Sequence, residues 1–208
     1  MSERQRPQLL LFDLGGVLVE YSGLEDIKPF LEGGLREAAS DAEIGRRFAD
    51  SESLAAFQTG SLTPAEFGAR FVSEWRLTIE PEAFLREFES WTRRLYPGAR
   101  ELLESLRPRY RLAALSNSNA LHWRRNAAVL GVPALFEAAF SSHEIGVLKP
   151  DRAAFEHALA ALDVAPATVA FFDDLAANVE AARALGIAAF RVEGVAELRA
   201  ALTGRGVL

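Results

Sequence analysis

The sequence predicts an α/β protein with a Rossmann-like parallel sheet flanked by helices and with an inserted, all-helical domain. Short apolar runs alternate along the chain with amphipathic stretches, which is typical of βαβ units. Polar residues directly follow several of these runs. One long segment, residues 20–93, interrupts the alternation and carries helical patterns only.

Five apolar runs are predicted to be strands of one sheet. Leu9–Phe12 is short and apolar on both faces, as expected for a buried parallel strand. The other predicted strands are Arg111–Leu115, Ala138–Ser141, Val169–Phe172 and Ile187–Val192. Helical patterns between and after them cover about 98–107, 120–130, 151–162, 176–185 and 195–202.

The helical insertion divides the chain into a core of residues 1–19 and 94–208 and an inserted domain of residues 20–93. One of its helices is predicted to begin after Thr63, because Thr63 and Glu66 form a capping box around Pro64. A second begins near Pro81 and has an apolar face formed by Phe84, Leu85, Phe88 and Trp91. The chain returns to the core through residues 95–98, which we interpret as a hinge.

Composition excludes several classes of function. The 208 residues carry a formal charge of −6, which argues against nucleic acid or an anionic membrane as the main partner. The chain has no cysteine, so thiol catalysis, disulfides and thiolate metal sites are excluded, and we predict a cytoplasmic location. Residues 1–8 are polar, and no run reaches membrane-spanning length, so we expect neither a signal peptide nor a membrane span. The predicted oligomeric state is a monomer or a homodimer.

Polar residues with no evident structural purpose follow three of the predicted strands. They are Asp13, Ser116-Asn117 and Asp173-Asp174, and Lys149 lies in a loop between them in sequence. Ligands of open parallel sheets bind beyond the carboxyl ends of the strands, so we expect these groups to converge. Neighbouring carboxylates repel one another, and an oxygen-only cluster therefore suggests a bound Mg²⁺. Any one of these residues alone would be explained equally well as a turn, a helix cap or a surface charge.

Other conspicuous residues are predicted to be structural. Arg124-Arg125 is interpreted as a solvated helix face, and His157 as a structural residue within a helix. The three histidines lack the spacing of a zinc site.

Four ordered motifs resemble those of the haloacid dehalogenase superfamily. The segment Leu10-Leu11-Phe12-Asp13-Leu14-Gly15-Gly16-Val17-Leu18 resembles the first motif, and Leu115-Ser116-Asn117 resembles the second. Lys149-Pro150 is similar to the third, and Phe172-Asp173-Asp174 with Asn178 to the fourth. The helical insertion lies where the cap domain of this superfamily belongs. The Asp-Leu-Gly sequence is most similar to a branch of small phosphatases.

This resemblance implies a magnesium-dependent phosphatase that hydrolyses a small phosphorylated metabolite, such as a sugar phosphate, through an aspartyl-phosphate. Asp13 would be the nucleophile. The metal would be held by Asp13, by the backbone carbonyl of Gly15 and by Asp174, with Asp173 supporting the metal or Lys149. The phosphate would be bound by Lys149, by Ser116 and by the backbone N–H of Asn117.

The sequence departs from the common pattern at Gly15. Most phosphatases of the superfamily have a second aspartate there, which serves as general acid and base, and such help is typically worth about 10²–10⁴-fold in rate. A good leaving group would need less of it. Glu20, Asp26 and His122 are candidate replacements, and the sequence does not choose among them.

Three alternatives stay open. A haloacid dehalogenase would use the same aspartate without a metal, but in that branch the position of Gly15 is usually aromatic and the fourth motif lacks paired acids. A phosphosugar mutase would be expected to keep the Asp-x-Asp pattern. A non-catalytic phosphate-binding protein would retain the site but lack the acid.

Overall fold

The computed structural model describes residues 6–33 and 40–208, and its centre is a five-stranded parallel sheet. The strand order is β5-β4-β1-β6-β7. These strands are β1 (Leu9–Phe12), β4 (Arg111–Ser116), β5 (Ala138–Ser141), β6 (Val169–Asp173) and β7 (Ala188–Arg191). All five predicted strands are confirmed to within two residues at each end, and the predicted fold class is confirmed with them.

Helices α6 to α11 belong to the sheet domain and lie near the predicted positions. They are α6 (Ala99–Leu106), α7 (Ala120–Ala128), α8 (Ser142–Ile145), α9 (Arg152–Leu162), α10 (Ala176–Ala184) and α11 (Gly194–Thr203). Alternate residues of β1 point to opposite faces of the sheet, which gives the core two layers. Leu10 and Phe12 pack in one layer with α6 and α11, whereas Leu9 and Leu11 pack in the other with α9 and α10.

The described part of the insertion contains helices α1 to α5 and an aromatic core of its own. The helices are α1 (Gly23–Ile27), α2 (Asp41–Ala49), α3 (Glu52–Gln58), α4 (Pro64–Trp75) and α5 (Pro81–Ser90). Helix α4 begins with the predicted capping box of Thr63 and Glu66. Stacked rings such as Phe57 on Phe67, with centroids 4.3 Å apart, fill the space between helices. Residues 34–39 of the predicted insertion, and residues 1–5, lie outside the described residues.

A short antiparallel ribbon joins the insertion to the sheet domain, and this ribbon was not predicted. It pairs β2 (Val19–Tyr21) with β3 (Thr92–Leu95) at the two limits of the insertion. The strands have three and four residues and are partly exposed, so they lack the apolar run that identified the strands of the sheet. An ion pair between Glu20 and Arg94, 2.7 Å apart, spans the ribbon.

The insertion also docks on helix α7, and here the interpretation of Arg124-Arg125 as a solvated face holds for Arg124, which is exposed, but is wrong for Arg125. Arg125 is half-buried and donates to the carbonyl oxygen of Thr92 at 2.6 Å. Arg124 forms an ion pair with Glu89 of α5 at 2.8 Å. A pair of adjacent charged residues in a helix does not show which side chain meets another element, because that depends on the tertiary fold.

No helix in the described ranges is both long enough and apolar enough to span a bilayer.

Candidate active site

The sheet brings the predicted strand-end residues to one edge. In the central strands, Phe12 of β1 lies beside Ala114 of β4 and Phe172 of β6. One residue beyond this row come Asp13 and Asp173, and Ser116 ends β4 beside them. Parallel pairing thus puts the three carboxyl ends at the same level, and the predicted convergence is observed.

Asp13 is buried and held in place by two contacts. Its Oδ1 atom accepts a hydrogen bond from the backbone N–H of Leu14 at 2.7 Å and lies 3.0 Å from Nζ of Lys149. Burial raises the pKa of Asp13 to about 7, Lys149 opposes this effect, and the nearby carboxylates of Asp173 and Asp174 add to it. A cation near these acids would favour the charged, nucleophilic form.

Lys149 is buried between two carboxylates. Its Nζ atom lies 2.6 Å from Oδ2 of Asp173 and 3.0 Å from Oδ1 of Asp13. Burial by itself lowers the pKa of this lysine, but the two acids outweigh burial and raise the pKa. The lysine is therefore a fixed positive charge beside the carboxylate of Asp13.

Asp173 is fully buried, and its carboxylate is bound by protein groups. The backbone N–H of Leu175 donates to Oδ1 at 2.8 Å, and the amide of Asn178 donates to both oxygens at 3.0 and 3.1 Å. Together with the contact to Lys149, these bonds occupy both oxygens. This arrangement fits the second of the two roles implied for Asp173, the support of the lysine, better than direct binding of a metal.

The side chain of Asn117 holds the backbone of Lys149, a role that was not predicted from the sequence. Its Nδ2 atom donates to the carbonyl oxygen of Lys149 at 2.7 Å, and its Oδ1 atom accepts from the N–H of Lys149 at 2.8 Å. This pair of bonds fixes the loop that carries the lysine. The sequence gives no indication of this pairing, because Asn117 and Lys149 are far apart in the chain.

Asp174 completes a cluster of three carboxylates. Oxygen atoms of Asp13, Asp173 and Asp174 all lie within 4.8 Å of one another. Burial, and then the charge of Asp173, raises the pKa of Asp174 to about 6. Gly16 lies directly against this side chain, because a Cβ atom at Gly16 would be 2.5 Å from Oδ2 of Asp174. Close, partly desolvated acids with oxygen-only donors are the environment that Mg²⁺ suits.

The hydroxyl of Ser116 is available for a ligand. Ser116 is buried at the end of β4 and lines a cavity next to Gly15. Within the described ranges, its side chain forms no hydrogen bond. This is consistent with a donor directed to a phosphate oxygen, as the resemblance implies.

Each candidate for the missing acid is engaged elsewhere. Glu20 pairs with Arg94, and Asp26 pairs with Arg93. His122 is buried, with Nε2 2.6 Å from the carbonyl oxygen of Phe88 and Nδ1 3.0 Å from the amide of Asn119.

Burial lowers the pKa of His122 to about 4, only partly offset by its bond to Phe88. The imidazole is therefore neutral near pH 7, with a proton on Nε2 that it donates to the carbonyl. These contacts identify His122 as a link between α7 and the insertion rather than a proton donor to substrate.

A cleft of about 720 Å³ opens above the acids, between the sheet domain and the insertion. Its floor includes Asp13, Gly15, Lys149 and Asp174. Its other walls are formed by residues of the ribbon, of α2 and α3, and of the loops after β6 and before α9. A ligand bound at Asp13 would therefore contact the insertion as well as the sheet domain.

Sequence comparison identifies two phosphatases among the relatives. Phosphatase MT3486 of Mycobacterium tuberculosis is 35% identical over 106 residues, which are 50% of this chain and 49% of that protein. The match therefore spans only about half the length of this relative. Sesquiterpene phosphatase astK of Aspergillus oryzae is 27% identical over 180 residues, which are 85% of each protein.

Solved structures share the fold. A predicted HAD-like family hydrolase from Porphyromonas gingivalis superposes with a TM-score of 0.78 at 22% identity, covering 95% of this chain and 97% of that one. A HAD family enzyme from Bacteroides thetaiotaomicron, solved with magnesium and inorganic phosphate, gives 0.73 at 24% identity, covering 90% and 94%. The profile of the haloacid dehalogenase-like hydrolase family matches residues 7–186. With this match and the four motifs at one edge of the sheet, the chain belongs to the haloacid dehalogenase-like hydrolase family.

Proposed function

We propose that this protein is a magnesium-dependent phosphatase that acts through an aspartyl-phosphate on Asp13. The observation that carries the proposal is the buried group of Asp13, Lys149 and Asp173, with the carboxylate of Asp174 beside it. Phosphoryl transfer needs a nucleophile, a fixed cation and a further acid, and all three lie here at the carboxyl ends of the parallel strands.

The reaction has two displacements at phosphorus. The carboxylate of Asp13 attacks, a P–O bond to Asp13 forms, and the P–O bond to the leaving alcohol breaks. Water then attacks the phosphorus of the acyl phosphate, the P–O bond to Asp13 breaks, and inorganic phosphate leaves as the carboxylate of Asp13 is restored. Lys149 and the hydroxyl of Ser116 would offset charge on the phosphoryl oxygens in both steps. The leaving oxygen must take a proton from water or from substrate, because Gly15 has no side chain to donate one.

Asp13, Asp174 and the backbone carbonyl of Gly15 would hold Mg²⁺, and Asp173 would hold Lys149. When bound, Mg²⁺ supplies positive charge that lowers repulsion between the acids and the phosphate. The fit rests on the geometry of the donors, since carboxylate oxygens of Asp13, Asp173 and Asp174 lie within 4.8 Å of one another and oxygen ligands are those that Mg²⁺ prefers. Burial raises the pKa of both Asp13 and Asp174, and a bound cation would favour their charged forms.

The relatives support this choice over a dehalogenase. Both named relatives are phosphatases, and the Bacteroides thetaiotaomicron enzyme binds magnesium and inorganic phosphate. An L-2-haloacid dehalogenase from Xanthobacter autotrophicus shares the fold with a TM-score of 0.63 at 22% identity, covering 97% of this chain and 84% of that one. The paired Asp173 and Asp174, with Gly15 where that branch usually has an aromatic residue, favour the metal-dependent reaction.

Hydrolysis of p-nitrophenyl phosphate, measured with Mg²⁺ and with excess chelator, tests the proposal. We expect turnover that requires the metal. Chloride release from 2-chloropropionate with no phosphatase activity would support the dehalogenase instead. If neither substrate turns over at high enzyme concentration, the non-catalytic phosphate-binding protein becomes the better account.

We further propose that residues 20–93 act as a cap that closes over the substrate and excludes water. The cytoplasmic location, the monomer or homodimer, and the use of a sugar phosphate stay predictions.

A further inference from the structure

The walls of the cleft, rather than its floor, carry information about the substrate, and two exposed apolar side chains lie there. In the described residues, the exposed large hydrophobic side chains are Tyr21, Val129 and Leu175, at 39%, 63% and 55% exposure. Tyr21 and Leu175 both line the cleft above Asp13. Exposed apolar groups that line one cleft favour the binding of an apolar ligand there.

The wall contributed by the insertion is apolar apart from the amide of Gln58 and the hydroxyl of Tyr21. The described residues of this wall are Tyr21, Phe48, Ala49, Leu54, Ala55 and Gln58. On the sheet domain, Leu148, Pro150, Leu175 and Ala177 continue the apolar surface around the acids. If the phosphate of a substrate is bound beside Asp13, an alkyl or aromatic group attached to it would contact apolar side chains of both the insertion and the sheet domain.

Polar groups in these walls are few, and some are already bound. The amide of Asn117 is bonded to the backbone of Lys149, and that of Asn178 to Asp173. Gln58 and Tyr21 are left as the uncharged polar side chains of the lining that have no hydrogen bond within the described ranges. A sugar has several hydroxyl groups to satisfy when it is desolvated, and these walls offer little to satisfy them.

The charges of the cleft disfavour a second anionic group on the substrate. Among the described lining residues, Lys149 is the one cation, and it is bound between Asp13 and Asp173. The other charged residues in the lining, Asp13, Asp151 and Asp174, are acidic. A carboxylate or a second phosphate would therefore be repelled.

We propose that the substrate is a phosphate monoester of an apolar alcohol, whose carbon chain lies between Tyr21 and Leu175. This inference rests on the proposed phosphatase function and is an alternative to the sugar phosphate expected from the sequence. The phosphate is bound by the polar floor, and burial of the carbon chain against the walls supplies selectivity.

Alkylphosphonates, which bind as phosphate esters do but cannot be hydrolysed at the P–C bond, test the proposal without depending on the leaving group. Inhibition of p-nitrophenyl phosphate hydrolysis is measured with ethyl-, butyl- and hexylphosphonate. We expect the inhibition constant to fall by about fourfold for each added methylene group that is buried. A phosphonate of hexyl length that ends in a carboxylate should inhibit at least tenfold more weakly than hexylphosphonate.

Two serine substitutions make a matched pair. Leu175 stands at the N-cap of α10, where serine is well suited, and its bond to Asp173 is made by the backbone, so Leu175→Ser should fold. We expect Leu175→Ser to reduce the dependence on chain length. Val129→Ser removes an exposed apolar side chain outside this cleft and should leave the dependence on chain length unchanged.

The outcomes separate the two proposals. Hydrolysis of p-nitrophenyl phosphate with inhibition that does not change with chain length would overturn the apolar substrate and leave the phosphatase intact. Equal or tighter binding of the carboxylate-tipped compound would overturn it as well. Absence of any hydrolysis would overturn both.

Discussion

The two sides of the cleft are built in opposite ways. On the sheet domain, the side chains of Asp13, Lys149 and Asp173 are buried and bound to one another at 2.6–3.0 Å. On the insertion, apolar and aromatic side chains face the same space with few polar contacts. The first arrangement fixes charges where the chemistry occurs, whereas the second provides a surface whose shape and polarity can select a substrate. Reaction and selectivity are therefore expected to respond to different substitutions.

The largest effect is expected on the polar side, at the nucleophile. Asp13→Asn keeps an oxygen for the N–H of Leu14 but cannot attack phosphorus, so activity should fall by at least about 10³-fold. The measurement is metal-dependent hydrolysis of p-nitrophenyl phosphate. Circular dichroism and thermal unfolding show whether the fold is kept, and full activity in a folded variant would overturn the assignment.

Two adjacent glycines should respond very differently. Gly16 has a φ of +72°, and a Cβ atom there would meet Asp174 at 2.5 Å, whereas one at Gly15 would meet nothing within 4 Å. Gly16→Ala should displace Asp174 and lower kcat/KM by about 10²-fold, with a higher Mg²⁺ requirement. Gly15→Ala is the control and should change activity little. Equal losses in both variants would contradict the close contact.

The same free space at Gly15 allows the missing acid to be added. Gly15→Asp should raise turnover of substrates with poor leaving groups by about tenfold or more, because a general acid protonates the departing oxygen. Alkyl phosphates should gain more than p-nitrophenyl phosphate, whose leaving group needs little protonation. An unchanged or lower rate on alkyl phosphates would mean that another group already serves.

The smallest effect on catalysis is expected at His122, which joins the two sides. The pKa of His122 is about 4 in the folded protein and near 6.5 when unfolded, so the unfolded chain binds more protons between these values. The stability from the neutral imidazole is present above pH 6.5 and is lost as pH falls towards 4. Wild type should lose about 2 kcal/mol of unfolding free energy between pH 7.5 and 5 through this group.

Denaturant unfolding of His122→Gln at both pH values measures this loss. The difference in unfolding free energy between wild type and variant should shrink at pH 5. His157→Gln, at an exposed position on α9, is the control and should follow wild type. A difference that is the same at pH 7.5 and 5 would show that His122 is not held neutral.

Much of the fold could be predicted because local sequence reflects it directly. Buried strands such as Leu9–Phe12 are continuous apolar runs, and the capping box at Thr63 depends on residues three positions apart. The ribbon of β2 and β3 was missed, since its pairing joins segments about 70 residues apart and leaves both strands partly exposed. The docking of Arg125 on Thr92 was missed for the same reason.

The sequence by itself determined which groups stand at the ends of the parallel strands, and hence that acids, a hydroxyl and a lysine would meet. Only the tertiary structure decided what each group does there. Asn117 is bonded to the backbone of Lys149, and Asp173 accepts from Asn178. His122 is bonded to the carbonyl oxygen of Phe88 and is therefore no longer a candidate general acid. The physical reason is that hydrogen bonds and burial depend on distances of a few ångströms between segments far apart in the chain, whereas strand ends follow from local apolar pattern.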